Sequence, residues 1–317
     1  MTAVHARREL AGIIGHTGAS DRCPPRIEVS RAIRCDLDRD IILGSKFDVS
    51  KTRLPDGLYR IERLPFLDAS EKRLVSQIQG RTYANIFGLV ERFIAAKVQE
   101  VSRNHELVDH IALDALMRLC EEFKHREMFR SLERMAAASM AEAYAFLPEP
   151  DAVASVVLGK STWAMLALIC HIELFVLAHY RESIDLDPHL SALCKDVFLY
   201  HWREQSQHAV LVELEWMREN GRLTPEQRDR AVDELVELVA AVDGILQSQS
   251  QSDADYFLRT CGRTVGRDEA ERIRAGLLDV YRRQYIESGV QGRFDEMLSR
   301  LVTPVQHERI GEALALS

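Results

Sequence analysis

The segment 200–216, YHWREQSQHAVLVELEW, sets His201, Gln205 and His208 at i, i+4 and i+7. At about 100° per residue the three fall on one helical face, which Phe198, Leu211 and Val212 extend as apolar neighbours. Two imidazoles on a stripe bound for a hydrophobic core need partners for their ring nitrogens. A carbonyl or carboxylate is the ordinary partner, and a metal ion is the other. The remaining long helical patterns decide between them.

Each of three further patterns places charge on its apolar face. In the first, which starts at Asp68 or Ser70 and runs to about Ser102, Ala84, Phe87, Ile94 and Val98 share a stripe with Glu91. In the second, over 106–146, Ile111, Ala115, Leu119, Phe129 and Leu132 share a face with Glu122 and His125, a Glu-x-x-His pair one turn apart. In the third, over 151–183, Leu166, Ile169, Cys170, Val176, Leu177 and Tyr180 surround Glu173. An ionised carboxylate left in an apolar interior costs several kcal/mol. Taken singly, Glu91 could pair with an arginine, Glu122 and His125 could form a surface pair, and Glu173 could meet a lysine. One constellation on each of four helices, with no matching set of buried basic residues, points instead to a pair of divalent metals. One Glu from each of two helices and a metal-binding pair from each of the others is the arrangement of carboxylate-bridged sites in ferritin-like bundles.

The order Glu91, Glu122-x-x-His125, Glu173, His201-x-x-x-Gln205-x-x-His208 resembles the non-haem di-iron N-oxygenases typified by p-aminobenzoate N-oxygenase. That family has a ferritin-like bundle and carries one more histidine than the usual site, a position that His201 matches. The resemblance covers roughly residues 70–300. It implies seven ligand positions, at Glu91, Glu122, His125, Glu173, His201, Gln205 and His208. It also implies two iron ions, or manganese in their place, with O2 as co-substrate and oxidation of an amine nitrogen to hydroxylamine or nitro. Reducing equivalents then come from an external donor, because the chain shows no flavin or nicotinamide fingerprint. Gln205 departs from the pattern, standing where the family has glutamate. A neutral amide offers one carbonyl oxygen, no charge and a poor bridge. Three explanations stay open: Glu204 swings in as a substitute ligand, the site is altered in metal number or type, or the glutamine disables it. Glu121 is a second choice behind Glu122.

The rest of the chain limits the alternatives. Its 317 residues are 46% hydrophobic and 28% charged, enough for a sizeable core. Net charge is -8, from 41 basic and 49 acidic residues mixed along the chain, which argues against nucleic-acid binding. Six cysteines without metal spacing, and no signal peptide, read as reduced thiols of a cytoplasmic protein. The apolar run from Thr162 to Tyr180 is long enough for a membrane span. His171, Glu173 and His179 within it, and the lack of a second such run, make it the central helix of a soluble bundle.

The expected fold is therefore all-α. A ferritin-like four-helix bundle core with peripheral C-terminal helices fills 69–317, and an irregular segment with short strands or loops over 1–68 packs on it. The fourth helix ends near Asn220, Thr224-Pro225-Glu226 starts another, and the polar run 247–252 reads as a surface link. Arg259 and Arg263 brace outer helices or hold a substrate carboxylate. The partners implied are a small-molecule substrate and an electron donor, with no nucleic acid and no membrane; a homodimer is compatible. Two other functions use the same residues differently: a metal oxidase or metal store without organic substrate, and a helical interaction protein whose site is lost.

Overall fold

A computed structural model of the chain describes residues 46–60, 64–103, 110–289 and 292–315. Among them the fold is all-α, with ten α-helices and no strand. Residues 1–45 and 61–63 of the expected irregular segment, and the side chains of Ile111, Ala115 and Leu119 on the second stripe, lie outside the described set.

After a short α1 (Asp56–Tyr59), the long α2 (Ala69–Ser102) starts at a capping box. Asp68 accepts from the amides of Ser70 and Glu71, and the Glu71 side chain accepts from the Asp68 amide, so the first orphan N–H groups of the helix are met locally. α3 (His110–Ala137) packs along α2, α5 (Thr162–His179) packs along α6 (Ala192–Asn220), and α3 meets α6. The short α4 (Pro150–Leu158) lies on α2, while α7 (Pro225–Thr260) touches α2 and α5 from outside. α8 (Arg267–Tyr285), α9 (Gly292–Leu301) and α10 (Pro304–Leu314) complete the outer layer of the bundle. α5 is therefore covered on every side. It is the one described helix long and apolar enough to cross a membrane, and 94% of that window is buried inside the protein.

Three boundaries differ from the sequence reading, each for a tertiary reason. α3 stops at Ala137 although the following stretch is rich in alanine. Residues 138–149 instead cross over α7, where Tyr256 Oη donates to the Ala141 carbonyl at 2.8 Å. The Gln249 amide both donates to the Ala145 carbonyl and accepts from the Leu147 N–H. Side chains of α7 thus replace the intrahelical partners of this backbone, overriding helix propensity. The same contacts explain the polar run 247–252, which is no link but part of the continuous α7, with Gln249 and Ser250 buried. The expected third helix is two helices, parted at Gly159 and restarted by Ser161, whose hydroxyl caps Ala164. α5 then ends in a π turn over Tyr180–Ile184.

The described part of the N-terminal segment lies on α2. Ser76 Oγ accepts from the Arg53 and Leu54 amides and donates to the Leu54 carbonyl. A β-carbon at Gly80 would stand 2.6 Å from Arg53 Cβ, so only glycine admits this approach. Among its described residues the segment has loops and one isolated bridge, between Thr52 and Leu190.

Candidate metal centre

Glu91 on α2, Glu122 and His125 on α3, Glu173 on α5, and His201, Gln205 and His208 on α6 are all buried. Two triads form around a shared histidine: Glu91, His125 and His201 place ligand-type atoms within 4.8 Å of one another, and so do Glu122, His125 and His208. His201 Nε2 is 3.1 Å from Glu91 Oε1, and His125 Nδ1 is 3.7 Å from Glu91 and 3.6 Å from Glu122. His208 Nδ1 is 3.2 Å from Glu122 Oε1. Glu173 is tied to this group through Arg118, whose guanidinium lies 3.6 Å from Glu173 and 3.9 Å from Glu122.

What marks the site is which atoms lack partners. Glu91 Oε2, both oxygens of Glu122, both of Glu173, His125 Nδ1, His208 Nδ1 and Gln205 Oε1 are buried without a hydrogen bond. Buried polar atoms are almost always satisfied, so eight orphans on six neighbouring side chains is an arrangement that cations could complete. The outward nitrogens of the two histidines are satisfied. His125 Nε2 meets Glu204 Oε2 at 2.6 Å, and His208 Nε2 meets Glu121 Oε2 at 2.7 Å. A carboxylate on the far nitrogen fixes ring orientation and tautomer and makes the inner nitrogen a stronger donor to a metal.

Glu204, read from the sequence as a substitute ligand, therefore stands behind His125, and Glu121 stands behind His208. Gln205 does point inward. Its amide nitrogen is 3.0 Å from His201 Nε2 and 3.4 Å from Glu91 Oε1. Rings box His201 in: Phe129 at 4.8 Å and Phe87 at 5.5 Å between centroids, both edge-to-face.

Sequence reasoning missed Arg118, one buried base among the carboxylates though not a matching set. The signal was present: Arg118, Glu122 and His125 stand at i, i+4 and i+7, the spacing of His201, Gln205 and His208. Arg259 and Arg263 do brace outer elements. Arg259 donates to the Ala143 carbonyl, and Arg263 is paired with Glu71 and Glu269.

Electrostatics give the same picture. Burial, then the neighbouring Glu122 charge, pushes Glu91 well above the usual carboxylate range. Burial lifts Glu173 to about 7, with His208 opposing and Glu122 adding. Burial alone would lower His125 and raise Glu122. The surrounding carboxylates outweigh it at His125, which lies well above the ordinary imidazole value, and Glu91, His208 and His125 hold Glu122 well below its own. Burial and Arg118 pull His208 down, yet Glu122 and Glu121 leave it raised. His201, desolvated and beside His125, is lowered. Without cations, the neighbouring carboxylates raise the proton affinity of His125 and His208.

The formal charges can be counted. Glu91, Glu122 and Glu173 with the outer Glu121 and Glu204 carry -5, and Arg118 returns +1. The remaining -4 would balance the +4 of two divalent ions. The donor set of carboxylate oxygens and imidazoles suits iron, manganese or zinc.

No protein family model, no curated protein and no solved structure matches the chain.

Proposed function

We propose that the chain is a non-haem di-iron oxidoreductase that uses O2 to oxidise a small organic substrate at an amine nitrogen. One observation carries the metal part: eight buried ligand-type atoms without a hydrogen bond lie on side chains from four helices, backed by carboxylates on the outward nitrogens of two histidines. Glu91 and His201 would help hold one ion and Glu122 and His208 the other, with the inner Nδ1 of His125 a ligand to one of the two. Glu173 and the Gln205 carbonyl oxygen are available to complete the set once the Gln205 amide turns over. Bound iron supplies O2 activation and electron transfer. The amine substrate rests on the motif order, His201 above all.

The protein's own residues fix the rest of the chemistry. Glu204 and Glu121 hold the histidine rings and their tautomers. The rings of Phe87 and Phe129 keep water from His201. Arg118 holds Glu173 and lowers the net negative charge, which favours a compact site over one open to further cations.

The test is to load the protein with ferrous ion anaerobically, then admit O2 with a panel of small aryl and alkyl amines. O2 uptake with products oxygenated at nitrogen, abolished in His125→Ala, is the expected result. O2 uptake and iron oxidation without any organic product would overturn the amine reading in favour of a metal oxidase. No uptake at all would overturn the oxidoreductase reading.

A further inference from the structure

α2 and α5 each turn one face away from the carboxylates, and these faces close a cavity of about 330 Å3 against α4, α7 and the C-terminal helices. On α2, Leu89 and Phe93 stand about 200° around the helix from Glu91, and on α5, His171 and Phe175 stand about 200° from Glu173. The cavity is therefore separate from the metal centre. No charged side chain lines it. His171 and Tyr285 are the two lining residues with polar side-chain atoms. His171 Nε2 is engaged by the Tyr285 carbonyl, and His171 Nδ1 and the Tyr285 hydroxyl are buried in the protein. Both residues add ring carbon to a wall that is otherwise aliphatic and aromatic. Water in such a space finds too few polar partners to be held, and apolar volume left unfilled costs stability in proportion to its size.

The cavity is long and opens at the surface. Its lining runs through two turns of α2, from Ile86 to Phe93, and through three of α7, from Leu235 to Leu246, which is about 16 Å of helix. The mouth lies between α4 and α7, where the wall residues Ala152, Val156 and Ala241 are exposed. Ion pairs flank it on both helices: Arg92 with Asp151, beside Ala152, and Lys160 with Glu237, one turn from Val156 and Ala241. Each pair is neutral as a unit, so the mouth favours neither sign of charge.

We propose that this cavity takes the hydrocarbon tail of one single-chain amphiphile, whose head stays in water at the mouth. The volume is roughly twice the ~150 Å3 that holds a benzene, which gives room for about ten to twelve carbons. A wall spread along three helical turns suits an extended chain better than a compact ring system. Recognition is by burial of methylene groups alone, because the wall presents no polar atom to orient a head. Tail length therefore sets the affinity, and the charge of the head does not.

Calorimetric titration of metal-free, full-length protein with 1-butanol, 1-hexanol and 1-octanol, and with octanoate and octylamine at pH 7, tests this independently of the metal centre. Saturable 1:1 binding is expected, tightening by about fourfold for each added methylene. Octanoate and octylamine should bind within about threefold of 1-octanol despite their opposite charges. Ala152→Trp and Ala241→Trp, on the two exposed sides of the mouth, should each weaken 1-octanol by about tenfold or more, with helix content by circular dichroism unchanged. The proposal is overturned if 1-octanol does not saturate or if affinity is indifferent to chain length. It is equally overturned if either charged head weakens binding by more than about tenfold, which would place the head inside the wall, or if both folded tryptophan variants bind 1-octanol as the native chain does.

Discussion

Asp253 and Glu173 are both fully buried carboxylates, and burial lifts each to about 7. Their surroundings are opposite. Asp253 accepts hydrogen bonds from Thr82 Oγ1 at 2.6 Å, from the Gln249 amide at 2.9 Å and from the Tyr281 hydroxyl. It ties α2, α7 and α8 together, and each of its oxygens is occupied. Glu173 has no hydrogen bond on either oxygen and only Arg118 at 3.6 Å. Burial and a raised proton affinity therefore do not distinguish a bracing carboxylate from a ligand. The satisfaction of its lone pairs does.

The pH response separates the two carboxylates most strongly. A carboxyl whose folded value is raised binds more protons folded than unfolded, so stability is lost as pH rises between the two values. For Asp253 the window runs from 3.8 to about 7, worth at most about 4 kcal/mol. For Glu173 it runs from 4.5 to about 7, worth at most about 3 kcal/mol. Urea denaturation from pH 4 to 8 should show both losses in metal-free protein. In metal-loaded protein only the Asp253 loss should remain, and Asp253→Asn should remove it. A Glu173 contribution that survives metal loading would break the distinction.

Next in size are substitutions that remove a group outright. His125→Ala removes the residue common to both triads and should lower metal affinity by more than about a hundredfold. Asp253→Ala should leave metal content intact but cost about 3 kcal/mol of stability, because the donors of Thr82, Tyr281 and Gln249 are left buried and unpaired. Glu173→Gln should do the reverse, weakening metal binding while leaving metal-free stability equal or higher. Glu204→Ala, acting through the His125 ring, should cost about tenfold in metal affinity. The smallest effect is expected from Arg118→Gln, which removes a positive charge from the site and should tighten divalent-ion binding by about tenfold or less. Equilibrium dialysis and denaturation of the same preparations read all five.

The inward residues were legible in the sequence because period 3.6 fixes which side chains share a face, and Glu91, Glu122, Glu173, His201 and His208 sit among apolar neighbours at that period. The outer carboxylates were not. Glu204 and Glu121 matter through which helix lies opposite them, and helical spacing carries no information across α3 and α6. Arg118 obeyed the same spacing rule and was missed because the face of α3 was read from its hydrophobic residues, Glu122 and His125 alone. The end of α3 was hidden for a related reason. Local propensity favours helix through residues 138–146, whereas Gln249 and Tyr256, more than a hundred residues later in the chain, hold that backbone out of the helix.

The most direct measurement is elemental analysis of purified protein reconstituted with ferrous ion, beside His125→Ala prepared identically. Two metal ions per chain in the native sequence and none in the variant is the predicted result. No metal in the native sequence, or equal content in both, would contradict the central claim that the orphaned atoms of Glu91, Glu122, Glu173, His125 and His208 are ligands.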